Sequence, residues 1–158
     1  MPQKIYDFNK ALQYCFLLLK YRKRSEAELV ARLKLKKCPQ SVLEKTVAYL
    51  KESNLIPEDA SFAGEWAEYK LSAGYGINRI AADLFKRRVG RDAIEQLRET
   101  FKREKREEVR RVLEGLIAKR IKGSSIGYEQ KQKLVRFLLQ RGFLIDEVLE
   151  VLDDYTGS

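Results

Sequence analysis

Histidine does not occur in this chain of 158 residues, and its two cysteines, Cys15 and Cys38, stand 23 positions apart. Those two facts bound the chemistry. Without an imidazole there is no Ser–His or Cys–His pair, no histidine general base and no histidine metal ligand. Without a Cys-x-x-Cys pair there is no pattern for structural zinc or an iron–sulfur cluster. The acidic pairs Glu107-Glu108 and Asp153-Asp154 could hold a metal in principle, but in charged helical surface they read as solvated, salt-bridging faces. Gly74-Tyr75-Gly76 follows no strand and lacks the third glycine of a dinucleotide fingerprint. Gly123-Ser124-Ser125-Ile126-Gly127 lacks the Gly-Lys-Ser/Thr ending of a phosphate loop. No nucleophile has a base beside it. The reading is a protein that is not an enzyme and that takes no cofactor and no metal.

The residues left with work to do are basic. The chain carries 32 Lys and Arg against 23 Asp and Glu, a net charge of +9. The excess is uneven: residues 1–57 hold 12 basic and 5 acidic side chains, residues 58–101 hold 7 and 8, and residues 102–158 hold 13 and 10. Lys20, Arg22, Lys23, Arg24, Arg32, Lys34, Lys36 and Lys37 cluster in one stretch that holds only Glu26 and Glu28 in return. Arg79 and Lys86 are seven apart, so at 100° per residue they share one face of a helix, away from Ile80 and Leu84. Arg136 likewise points away from Leu134 and Leu138. A basic track of Lys20, Arg22, Lys23, Arg24, Arg32, Arg79, Lys86 and Arg136 suits a polyanionic partner. Tyr75, in a loop between glycines, is the aromatic most readily lent to that partner. Trp66 reads as core.

Helices must position these residues, because apolar residues recur at helical spacing and nowhere alternate for long. Phe8, Ala11, Leu12, Cys15 and Leu19 mark the first. Ser25 with Glu28 three residues on is a capping box that opens the second, carrying Leu29 and Leu33. Pro39 precedes a third with Val42, Leu43, Val47 and Leu50, and Asn54 suits its left-handed end. A second set follows: Phe62, Trp66 and Tyr69; then Ile80 and Leu84; then Ile94 and Leu97. A third holds Val109, Val112, Leu113, Leu116 and Ile117; then Leu134, Phe137 and Leu138; then Val148, Leu149 and Leu152. No run of about 18 apolar residues exists to span a membrane. The absence of a signal-peptide-like stretch, with two unclustered cysteines, predicts a cytoplasmic protein.

The three sets align. With Leu33, Leu84 and Leu138 in register, Leu29, Ile80 and Leu134 stand four residues earlier. Cys38, Val89 and Phe143 stand five later, and Leu43, Ile94 and Val148 ten later. The spacings are 51 and 54 residues. A unit of about 50 residues buries too little alone, so neighbouring units must pack together. The expected fold is all-α: three tandem three-helix repeats over residues 1–56, 57–101 and 102–158, in an elongated, curved, right-handed or superhelical array. Gly142 before Phe143 reads as a left-handed turn whose following apolar residue folds back on the helix. Lys37 and Arg88 fill that slot in the other units. A side chain there costs about 1 kcal/mol, which predicts looser or differently built turns.

Three strings resemble the RecX family, regulators of the RecA recombinase. They are Arg24-Ser25-Glu26 with Glu28-Leu29 and Arg32-Leu33; Gly74-Tyr75-Gly76 with Arg79-Ile80 and Leu84; and Arg136-Phe137-Leu138-Leu139 with Arg141-Gly142-Phe143. They fall in the three units in order, and the likeness extends over about residues 9–155. The resemblance implies three tandem three-helix units and a clasp that binds along the RecA–DNA filament. It also implies a protein that usually restrains strand exchange and ATP turnover, and so acts in DNA repair and the SOS response. The chain departs from the family where Asn54-Leu55-Ile56-Pro57-Glu58-Asp59 replaces a Gly-aromatic-Leu-Asp-Asp-like stretch, and at Lys37 and Arg88, where the family prefers glycine. The basic track leaves two other readings open: direct DNA binding without sequence readout, and a helical scaffold for another acidic protein. In each, the protein is expected to be a monomer.

Overall fold

The computed structural model describes residues 6–123 and 125–156, so Ser124 of the Gly123–Gly127 loop lies outside the described residues. Among the described residues there are nine helices and no strand. They run α1 (Phe8–Tyr21), α2 (Glu26–Leu35), α3 (Gln40–Glu52), α4 (Asp59–Ser72), α5 (Ile77–Lys86), α6 (Arg91–Arg103), α7 (Arg106–Ala118), α8 (Tyr128–Gln140) and α9 (Ile145–Thr156). Three successive helices make one repeat. None of the described helices is long and apolar enough to cross a membrane.

The middle helix of each repeat ends in the same turn. Cys38 N–H donates to Leu33 C=O at 3.1 Å and Lys37 N–H to Lys34 C=O at 2.9 Å. Val89 and Arg88 repeat the pattern with Leu84 and Phe85, each at 3.0 Å. Phe143 and Gly142 repeat it with Leu138 and Leu139, at 3.2 and 3.0 Å. This is the six-to-one and five-to-two bonding of a Schellman motif, with the aligned leucine at its base. Lys37 and Arg88 take φ of 58° and 62° in the left-handed region. The expectation of looser turns there is therefore corrected: two main-chain bonds and an apolar residue folding back hold a lysine and an arginine in the conformation that glycine holds in the third repeat.

Gly142 answers to a second demand. Gly76 N–H donates to Arg141 C=O and Asn78 N–H to Gly142 C=O, each at 2.9 Å, so α5 and the end of α8 meet backbone to backbone. A Cβ on Gly76 would lie 2.5 Å from the Phe143 backbone, and one on Gly142 would collide with Arg79. Glycine is needed at both positions because main chains touch.

Among the described residues, the buried apolar side chains form two separate clusters. The first belongs to α1–α3 and the segment after them: Ala11, Cys15, Leu29, Leu33, Leu43, Val47, Leu50 and Ile56. The second runs unbroken through α4–α9, from Phe62 and Leu71 through Leu84, Phe101, Leu113 and Leu138 to Leu152. Helix α7 packs on both α4 and α6, which joins the second and third repeats through one core. Between the first and second repeats, Ser25 Oγ donates to Arg87 C=O at 2.8 Å, and Lys23 pairs with Glu65. Trp66 is only partly buried and packs against the second cluster, so the reading of it as core is corrected. Cys15 is buried and Cys38 partly buried, both as free thiols.

Candidate functional site

The capping box at the start of α2 seeds the first part of the site. Ser25 Oγ accepts from Glu28 N–H at 3.1 Å, and Glu28 Oε1 lies 3.5 Å from Ser25 N–H. That geometry turns the Glu28 carboxylate toward the boundary between repeats. Three guanidinium groups gather on it. Arg22 donates at 2.7 Å, while Arg24 and Arg87 approach to 3.7 Å. The side chains of Arg24 and Glu28 are only 10% and 11% exposed. Burial, then the charge of Arg22, pushes the Arg24 and Arg87 guanidinium groups below their ordinary value, against the pull of Glu28. Nε of Arg24 and Nη1 of Arg87 are buried without a hydrogen-bond partner.

From Arg87 a row of cations and aromatic rings crosses into the third repeat. The Arg87 guanidinium lies 4.0 Å from the centre of the Trp66 ring, which stacks on Phe62. Lys70, one turn after Trp66 on α4, sits 5.2 Å from that ring and 4.9 Å from the Tyr75 ring. Tyr75 follows the left-handed Gly74 that ends α4 and is also faced by Arg141 at 4.5 Å and Arg79 at 5.4 Å. Arg141 faces Phe137 at 5.4 Å, and Arg120 lies over that same ring at 3.6 Å. Arg120 and Phe137 then line an open groove of about 830 Å³ with Tyr128 and Lys133. Such a ladder offers positive charge for phosphates or carboxylates, and the exposed Tyr128 ring in the groove at its end offers a face for stacking.

The repeat builds part of this ladder. The residue before each left-handed turn is basic: Lys36, Arg87 and Arg141. Each lies over an aromatic ring, with Lys36 at 5.2 Å from Tyr14. This column, three residues after the aligned leucine, is the sequence signal that would have found Arg87 and Arg141. Lys70, Arg120, Trp66 and Phe137 come from packing between helices, which no single helix pattern displays.

The residues singled out from the sequence divide. Arg22 and Arg24 converge on Glu28, Lys23 bridges to Glu65, and Tyr75 and Arg79 join the ladder. Lys20, Arg32, Lys86 and Arg136 are exposed and take no part in the ladder's contacts. Two expectations are corrected. Arg24, read as part of a basic track open to a partner, is only 9% exposed, because α2 begins against the second repeat. Tyr75 is half-buried rather than free in its loop, because three cations from two repeats cover its ring. The acidic pairs behave as charged surface: Glu108 pairs with Lys105, Asp153 with Lys131, and Asp154 with Arg110. Among the described residues no three His, Cys, Asp or Glu side chains gather as a metal-binding group.

Comparison with known proteins matches the chain to three family models in chain order. Residues 11–50 match the RecX first three-helix domain, 59–97 the second and 107–152 the third. A "Regulatory protein RecX" of Caldanaerobacter subterraneus is 30% identical over 148 residues, 93% of this chain and 71% of that protein. One from Finegoldia magna is 27% identical over 153 residues, 96% of this chain and 74% of that one. One from Halalkalibacterium halodurans is 32% identical over 162 residues, 98% of this chain and 58% of that one. Two crystal structures share the fold. One of a regulatory protein RecX has a TM-score of 0.69 at 21% identity, with 93% of this chain and 71% of that chain covered. The other, RecX from Lactobacillus salivarius, has a TM-score of 0.67 at 19% identity, with 93% and 97% covered.

Proposed function

This chain belongs to the RecX family, and we propose that it regulates a RecA recombinase by binding along the RecA–DNA filament. The outcome is restraint of ATP turnover and strand exchange, and so of recombinational repair and the SOS response. The observation that carries this reading is the ladder from Glu28 and Arg87 to Phe137 and Arg120, which touches all three repeats. A continuous row of charge and aromatic surface suits a partner that is itself extended and repeating. In this reading the three units, residues 1–56, 57–101 and 102–158, act as one non-catalytic clasp, monomeric and cytoplasmic, and the basic first unit steers it to an acidic surface.

The alternation of cations and rings also favours a second reading, direct and non-sequence-specific DNA binding. The deciding experiment measures ATP turnover by a RecA–single-stranded-DNA filament as this protein is added. Inhibition at ratios too low to coat the DNA, weakened in Lys70→Ala/Arg120→Ala, supports filament regulation. Inhibition that appears only as the DNA becomes coated supports the second reading. No effect at any ratio refutes both.

A further inference from the structure

The arginine cluster at the boundary of the first two repeats holds more positive charge than its surroundings use. Among the described residues, Arg22, Arg24 and Arg87 converge on one carboxylate, Glu28; Arg87 also feels Asp83, which Lys70 and Arg79 already engage, so positive charge is in excess in this half-buried place. Glu28 has two oxygens, and one of them also serves the start of α2. Arg24 Nε and Arg87 Nη1 are buried without a hydrogen-bond partner, Arg87 Nη1 lying 3.7 Å from Glu28 Oε1, too long for a hydrogen bond. Buried donors on charged groups are strongly disfavoured unless something accepts from them. The Glu65 carboxylate at the same boundary is engaged by Lys23. Arg22, with a side chain 39% exposed, forms the solvent side of the cluster.

We propose that Arg22, Arg24 and Arg87 form a binding site for a dianionic phosphate group, which joins the first repeat to the second. Guanidinium forks pair best with phosphate and carboxylate oxygens. A second carboxylate would bring one charge and two oxygens in a plane. A phosphate monoester or inorganic phosphate brings about −1.5 to −2 at pH 7 and three or four oxygens, which matches both the charge excess and the unmatched donors. Arg22 and Arg24 lead into α2 while Arg87 ends α5, so one bound phosphate would be held from both sides of a boundary that has no shared apolar core. The same chemistry is offered by free phosphate and by the terminal phosphate of a nucleic-acid strand. The proposal goes beyond filament regulation and is tested without RecA.

The test is calorimetric titration of the full chain with inorganic phosphate, against chloride at matched ionic strength, together with NMR of the arginine Nε–H signals. Binding is expected to shift the Arg24 signal. Arg22→Gln, a change at the exposed edge, is expected to weaken binding at least about tenfold. Glu28→Gln keeps a side chain able to close the capping box and removes the competing negative charge, so it is expected to tighten binding several-fold. A residue with only a structural role would give the opposite sign or no change. If a 5′-phosphorylated oligothymidylate displaces phosphate and its unphosphorylated form does not, the ligand is a strand end. If neither displaces it, the ligand is free phosphate. Absence of phosphate binding, an equal response to chloride, an unmoved Arg24 signal, or equal displacement by polyglutamate would overturn the proposal.

Discussion

Ser25 and Arg87 are 62 residues apart in sequence, yet the hydroxyl that opens α2 donates to the carbonyl that closes α5 at 2.8 Å. The next boundary repeats the relationship with main-chain atoms alone, where Gly76 N–H at the start of α5 meets Arg141 C=O at the end of α8. In both, the head of one middle helix is bonded to the tail of the next. One hydroxyl therefore serves two helices: it accepts from Glu28 N–H and donates to Arg87 C=O.

Ser25→Ala removes both bonds at once. The expected cost is about 2 kcal/mol, since a lost N-cap alone costs about 1 and a buried carbonyl left unpaired adds to it. Ser25→Thr should keep most of the stability. Urea denaturation of the two variants checks this, and an alanine variant within a few tenths of a kcal/mol of the parent would show that water replaces the hydroxyl.

The three equivalent turns should respond differently to glycine and alanine. Lys37→Gly and Arg88→Gly relieve a left-handed side-chain penalty and should be neutral or stabilising by up to about 1 kcal/mol. Gly142→Ala adds the same penalty and forces a Cβ into Arg79, so it should cost more than about 2 kcal/mol. Equal effects at all three positions would mean that the close approach of α5 and α8 is easily relaxed.

Charge reversal should separate burial from partner contact. Arg79 and Lys86 are both exposed, so Arg79→Glu and Lys86→Glu should each change stability by no more than about 0.5 kcal/mol. Arg79 reaches the ladder through Tyr75, so its reversal should weaken inhibition of the filament more than that of Lys86 and flatten the salt dependence further. Arg24→Glu would set a buried carboxylate beside Glu28 and should cost about 3 kcal/mol or more. Melting temperatures and inhibition measured across a salt series on each variant test the ordering.

Cysteine reactivity gives a pH test. Burial, with the neighbouring Cys38 adding to it, pushes the Cys15 thiol up to about 11. An unfolded cysteine ionises near pH 8.5. Between those values the unfolded chain releases a proton that the native chain keeps, so stability should fall as pH rises through that window and be unaffected below it. Cys15→Ala should remove most of that slope and leave a smaller part from Cys38, whose thiol burial also raises. At pH 8, native protein should be alkylated at Cys38 first and at Cys15 only on unfolding; prompt labelling of Cys15 would contradict its burial.

Much of the fold was legible because leucine spacing carries it. Leu33, Leu84 and Leu138 mark the base of the same turn in each repeat, and the Ser25–Glu28 cap stands as read. At Lys37 and Arg88 the sequence displays only an intrinsic conformational cost of about 1 kcal/mol; the main-chain bonds that offset it belong to the folded turn. The site was legible only in part. Tyr75 and Arg79 are near each other in sequence, and their place in the ladder follows. Arg87 with Trp66, and Arg120 with Phe137, meet only when helices of different registers pack. Arg24 stands in a basic stretch that looks solvated until the second repeat closes over it.

The break in the apolar interior after Ile56 has a consequence for how this protein opens. Among the described residues no buried apolar cluster bridges α3 and α4, so loosening α1–α3 exposes chiefly their own interior. It breaks a handful of polar bonds at the boundary, whereas no part of α4–α9 can open without disturbing the rest. Amide protons of Leu33 and Leu50 should therefore exchange through a partial event of lower free energy than those of Leu84 and Leu113. A single two-state fit to the melt would then average two separate processes rather than describe either one.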